Sequence, residues 1–207
     1  MALSIGGILL AAGQSLRAGP TNKLLQPAPP RQQDDASRVT MIEASATALL
    51  NSVVNDIVVV TGHQHQAIES TLADTSLRFA HNADFASGMA GSLATGIQAL
   101  SSHDGVVVAL GDMPEVEADV IDALVSEFAA RPRSHYVVPT YHGRRGNPVL
   151  LSSAVFGKVL ALQGDTGARS LWSGAGADLL EVATSCAGVL RDFDTLAELE
   201  SVTDDIR

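Results

Sequence analysis

Cysteine is nearly missing from this 207-residue sequence. Cys186 stands alone, so no intramolecular disulfide can form, and a reducing cytoplasm is the expected home. Positive charge is scarce too. Lys and Arg number 13 against 23 Asp and Glu, a formal net charge of −10. That balance argues against a nucleic-acid binder or a basic membrane-surface protein, because either polyanion would repel the chain. The apolar run at residues 5–12 is far shorter than the ~20 residues a bilayer span requires, and Met1-Ala2-Leu3-Ser4 lacks the basic residues of a secretory leader. Aromatics are only 4% of the chain, yet 46% is hydrophobic, an ordinary globular composition. One domain over residues 1–207 is therefore expected, long enough to bury roughly 70% of its unfolded surface. Should such an acidic protein handle phosphates, it must concentrate its few cations locally or borrow charge from a metal.

What is present is a rhythm of short apolar runs ending in turn chemistry. Residues 3–10 lead into Ala11-Ala12-Gly13, residues 56–61 (DIVVVT) into Gly62, and residues 106–110 (VVVAL) into Gly111-Asp112; residues 136–139 form a weaker fourth run. Unalternating Val and Ile runs mark strands buried on both faces, as in a mostly parallel sheet. Between and after them, residues 41–51, 65–73, 91–100, 117–129 and 165–173 carry amphipathic helical patterns, and 195–202 suggests a last short helix. Strand and helix in alternation predict right-handed βαβ units and a doubly wound, Rossmann-like α/β sheet. Residues 26–38 (QPAPPRQQDDASR) break the rhythm with three prolines and few apolar anchors, and read as an exposed, mobile loop.

In an open α/β sheet, ligands sit beyond the carboxyl ends of the strands, where strand order reverses. Three clusters fall at such ends. After the first run come Leu10, Ala11, Ala12 and Gly13, small enough for close backbone approach and for an anion nest, followed by Arg17 and Lys23 as fixed positive charge. The pattern is neither GxGxxG nor GxxxxGK[ST]. The second cluster, Gly111-Asp112-Met113-Pro114, places a carboxylate at a strand tip, where it is either a turn residue or an oxygen ligand for Mg²⁺. In the third, residues 88–96 (GMAGSLATG) open a helix; Gly88 and Ser92 serve either close packing and capping or contacts to a planar base.

The first cluster resembles the L-A-A-G-x-S-x-R-M-G-x-x-K opening of the MobA-like nucleotidyltransferases, with Ala18 where Met is usual. Residues 111–114 are similar to that family's metal-binding G-D-M-P, and 88–96 to its G-M-x-x-S-L-x-x-G. Residues 143–148 (GRRGNP) resemble G-R-R-G-H-P, with Asn147 in place of His, and 164–169 (GDTGAR) resemble G-D-x-G-A-R. Residues 192–195 (DFDT) are similar to the D-I-D-T ending. The segments occur in family order from one end of the chain to the other. The arginine-bearing pair points to the molybdenum cofactor cytidylyltransferases, and Ala12, where guanylyl-transferring relatives carry a second Gly, agrees.

The resemblance implies a fold of the nucleotide-diphospho-sugar transferase type. It also implies transfer of CMP from CTP to the phosphate of molybdenum-molybdopterin, for delivery to a client molybdoenzyme. Ala11, Gly13, Lys23 and Ser92 would contact CTP. Asp112 and Asp194 would hold Mg²⁺, with Asp192 a second candidate, since residues two apart on an extended segment face one side. Arg144, Arg145 and Arg169 would take the acceptor's phosphate and pterin. A phosphate monoester has its second pKa near ~6 and is a competent nucleophile at neutral pH, so the chemistry demands charge cancellation rather than a poised base. The alternatives are another donor such as GTP, another small phosphorylated acceptor, or a non-catalytic molybdopterin carrier.

Overall fold

In a computed structural model of the protein, residues 3–14, 22–29, 39–131, 133–172 and 178–193 are described. Among them, eight strands form one sheet: β1 (Ile5–Ala11), β2 (Asp56–Thr61), β3 (Arg78–His81), β4 (Gly105–Leu110), β5 (Tyr136–Tyr141), β6 (Arg144–Arg145), β7 (Val149–Ser152) and β8 (Leu179–Ala183). Their order is β3-β2-β1-β4-β7-β5-β6, with β8 also paired to β5. The four strands β3, β2, β1 and β4 are parallel. β7 enters antiparallel between β4 and β5, which restores the original direction in β5 and β8. The sheet is thus doubly wound and mostly parallel, as the sequence predicts, with two reversed strands, β7 and the two-residue β6, that it does not.

The strands lie between two apolar layers because their residues alternate between two cores. Leu9, Val59, Val107 and Val137 face α1 (Met41–Leu50), α2 (His65–Thr71) and α4 (Ala118–Ala130). Their neighbours Ile8, Val58, Val106 and Val138 face α3 (Met89–Ala99) and α5 (Phe156–Leu160). Burial on both faces explains why the runs carry no polar alternation.

Local signals set the helix ends. Thr40 and Glu43 close a reciprocal capping box at the start of α1. α4 puts Val120, Ile121, Leu124 and Phe128 inward at helical spacing. The segment expected as a helix over 165–173 departs from that expectation: among its described residues, 165–172, the helical part is a 3-10 turn at Ala168–Trp172. Gly164 at φ +63°, with its carbonyl accepting from Ala90 N, takes the preceding turn out of helical geometry. The base of the proline-rich segment is tied down: Pro27 bridges Thr40, and Ala28 N donates to Val39 O at 2.8 Å. Residues 30–38, Arg17, Ala18, Asp194 and the helix expected at 195–202 lie outside the described residues. Among the described residues, no helix is long and apolar enough to cross a membrane.

Candidate active site

β1 and β4 run side by side, with Leu10 opposite Leu110, and the chain crosses to the two sides of this pair. Their carboxyl ends are therefore a switch point of the sheet, and both small-residue clusters emerge there. A cleft of about 190 Å³ opens above them, lined among others by Ala12, Gly13, Lys23, Ser92, Asp112 and Asp165.

Lys23 reaches this cleft because its neighbours are anchored. Leu24 is buried in the core, and Asn22 caps the 3-10 turn Lys23–Leu25 by accepting from Leu24 N at 3.1 Å. Asp112 follows β4 by two residues. Gly111 N donates to Leu10 O at 3.0 Å, and Ser45 Oγ donates to Gly111 O at 3.0 Å, so β1 and α1 together fix the tip. The two side chains meet: Lys23 Nζ lies 2.8 Å from Asp112 Oδ2, with 13% and 21% of their side chains exposed. Reduced access to water strengthens such a charge-assisted contact relative to a surface pair. Phe193 N donates to Asp112 O at 3.0 Å, and Phe193 packs with Met41 and Ala28, which brings residues 191–193 up to the strand tip.

Of the remaining candidates, Leu10 and Ala11 line the cleft with Ala12 and Gly13. Gly88 does not line it. It sits at φ +114° against the 164–165 turn, where a Cβ would come within 2.3 Å of Gly164 C and 2.6 Å of Asp165 N. Gly88 thereby seats the turn that carries Asp165 to the cleft.

Arg144, Arg145 and Arg169 line a second basin of about 760 Å³, which shares Leu110 with the cleft. A hairpin turn with positive φ at His142 and Gly143 presents the first two arginines. Arg145 Nε donates to Glu181 Oε1 at 2.6 Å. Asp192 lines the basin and not the cleft, as does Asn147. Sequence reasoning overlooked Asp165, Met89 and Asn82 around the cleft and Trp172 and Glu181 in the basin. Asp165 lies within the GDTGAR segment, but only the fold brings it to the same cleft as Asp112.

The MobA-like NTP transferase domain model matches residues 7–179. The chain belongs to this family. Purine catabolism protein PucB of Bacillus subtilis (strain 168) is 33% identical over 211 residues, covering 95% of this chain and 94% of that protein. Nicotine blue oxidoreductase of Paenarthrobacter nicotinovorans is 26% identical, with 94% of each covered. Among solved structures, a Mycobacterium tuberculosis protein in complex with manganese superposes with a TM-score of 0.73 at 23% identity, covering 97% of this chain and 98% of that one. The fold is that of the nucleotide-diphospho-sugar transferases, and the family is one of nucleotidyltransferases.

Proposed function

We propose that the protein is a magnesium-dependent cytidylyltransferase that moves CMP from CTP to the phosphate of molybdenum-molybdopterin, releasing pyrophosphate, in the cytoplasm and for a client molybdoenzyme. One observation carries the reading: Lys23 and Asp112 meet at the switch point, in a cleft walled by Leu10 to Gly13 and Ser92 and adjoining an arginine-lined basin. The choice of CTP and of the pterin acceptor rests on the sequence motifs, with Ala12 and the arginine-bearing segments foremost.

A divalent ion suits the donors present. Asp112 and Asp165 bring hard carboxylate oxygens to one cleft. No group of three His, Cys, Asp or Glu able to hold a metal occurs among the described residues. Mg²⁺ needs no such cage, since it takes one or two carboxylates, waters and substrate phosphates. Asp112 and Asp194 would hold it, and it would neutralise charge developing at the α-phosphate. The manganese bound by the M. tuberculosis neighbour supports this reading.

In the reaction, an oxygen of the acceptor's phosphate monoester bonds to the α-phosphorus of CTP while the bond to the bridging oxygen of the β-phosphate breaks. Pyrophosphate leaves with that electron pair. Lys23, Arg17 and the 10–13 backbone hold the β- and γ-phosphates, and the fixed positive charge lets two anions approach. Arg144, Arg145 and Arg169 orient the acceptor.

The test is incubation of molybdenum-loaded molybdopterin with CTP, GTP and ATP in parallel, reading dinucleotide and pyrophosphate. Cytosine dinucleotide is the expected product. A guanine product moves the donor to GTP, and pterin binding without pyrophosphate makes the protein a carrier. A redox function like that named for the 26% relative predicts neither product.

A further inference from the structure

Ser92 lies on the first turn of α3 and faces the cleft, with only 5% of its surface exposed. A serine hydroxyl can donate or accept, so its position alone says nothing about what it would select in a ligand. Here a neighbour narrows the choice, because an amide N–H seated on one Ser92 lone pair turns the hydroxyl proton away from itself. Asn82, 7% exposed, follows β3 directly and is held there by its own N–H, which donates to Thr61 O at 2.8 Å. Its side-chain Oδ1 accepts from Asp84 N at 3.0 Å. A backbone N–H can only donate, so this bond fixes which end of the amide carries oxygen. The other end, Nδ2, must then face Ser92, and it donates to Ser92 Oγ at 3.0 Å. Gly91 leaves room for the amide, since a Cβ there would lie 3.3 Å from Nδ2. Among the described residues, the Ser92 proton has no acceptor of its own.

We propose that Asn82 is a specificity-determining positioning residue that holds the Ser92 hydroxyl as a donor toward the cleft, so that the site selects a base presenting an acceptor there. A 4-aminopyrimidine fits, because its unprotonated ring nitrogen and its carbonyl are adjacent acceptors. Guanine offers N–H donors over most of the corresponding edge. The inference rests on the cleft being the donor-nucleotide site of the proposed function and names the atom that reads the base.

The experiment measures equilibrium binding of CTP, GTP and ATP with Mg²⁺ to the wild type, Asn82→Asp, Asn82→Ala, Ser92→Ala and the two double variants, each checked by thermal unfolding. Asn82→Asp keeps the bond from Asp84 N but offers Ser92 an acceptor, which turns the hydroxyl around. CTP affinity should fall roughly tenfold, about what one reversed buried hydrogen bond produces. Asn82→Ala, which adds no charge, should lose roughly threefold to fivefold as the hydroxyl is freed to rotate. In the Ser92→Ala background, both Asn82 changes should shift affinity by less than about twofold, because the group they orient is gone. That vanishing effect separates orientation from mere repulsion of the triphosphate by a new carboxylate, which would persist. Unchanged CTP binding in both single Asn82 variants, or a full effect surviving in the Ser92→Ala background, overturns the inference while leaving the transferase reading standing. If the wild type binds GTP in place of CTP, the cytidylyl reading fails and this proposal fails with it. CTP bound without any dinucleotide formed sinks the transferase reading alone.

Discussion

Replacing Gly88 with alanine should damage the cleft from a position that does not line it. Two effects add. At φ +114° and ψ −179°, a side chain is strained whatever space is available, a cost of about 1–3 kcal/mol. The new Cβ would also lie within 2.4 Å of Gly164 O, the acceptor of the Ala90 N–H at 3.1 Å. Separating the two segments loses that bond, about 0.5–1.5 kcal/mol. The sum is about 1.5–4.5 kcal/mol, and for a chain of this size it lowers the unfolding midpoint by roughly 3–18 °C.

Gly164→Ala is the control. Gly164 also has positive φ, +63°, but a Cβ there meets nothing within 4 Å. Only the left-handed backbone penalty applies, about 1–2 kcal/mol, which corresponds to roughly 2–8 °C. Scanning calorimetry on the two variants side by side isolates the contact from the dihedral. A midpoint for Gly88→Ala equal to or above that of Gly164→Ala would refute the contact argument. The displaced turn carries Asp165, so Gly88→Ala should also weaken nucleotide binding at temperatures where it remains folded.

Asp112→Ala should cut pyrophosphate release by about 10²–10³-fold while leaving the fold intact, and release at the wild-type rate would dismiss the metal role given to this carboxylate. Lys23→Ala should weaken CTP binding by about tenfold or more, the scale of a hydrogen bond to a charged group; an unchanged dissociation constant in titration calorimetry contradicts its role. The Tyr136 hydroxyl is buried without a hydrogen-bond partner among the described residues. Burial first, and the Asp178 charge second, push its pKa above the usual phenol value. The ionised form is thus disfavoured in the fold, so the stability is fully present below about pH 10, where the unfolded phenol titrates, and is lost as pH rises through the higher folded value. Tyr136→Phe should remove that alkaline loss and stabilise by about 1 kcal/mol at neutral pH, which urea unfolding at about pH 8 and about pH 10.5 resolves.

The strands legible in the sequence are those whose environment is the same on both faces. β1, β2 and β4 are buried but for one half-buried residue each, and their Val and Ile runs need no partner to be recognised. β3 escaped notice because it is an edge strand with a mixed, largely exposed face (RFAH). β7 is apolar, but four residues carry no mark of direction, and its antiparallel insertion beside β4 is a tertiary fact. The site divides in the same way. Lys23 and Asp112 could be named because each sits at a fixed offset from a recognisable strand or motif, and the switch point then brings them together. Asp192 was paired with the cleft by its spacing from Asp194, yet it lines the arginine basin.

The least legible part of the site is the polarity of its hydroxyl, and this follows from how polarity is set. Ser92 announces itself by sequence context, but a hydroxyl takes its direction from whatever already occupies its lone pairs. That occupant, Asn82, is ten residues away on a different element, and its own orientation is fixed by a third contact, to the N–H of Asp84. A motif therefore records which atoms are near a ligand, while the choice between donor and acceptor at those atoms is made one layer further out. Two members of this family with identical cleft residues could for that reason prefer different bases, if the residue corresponding to Asn82 differed between them.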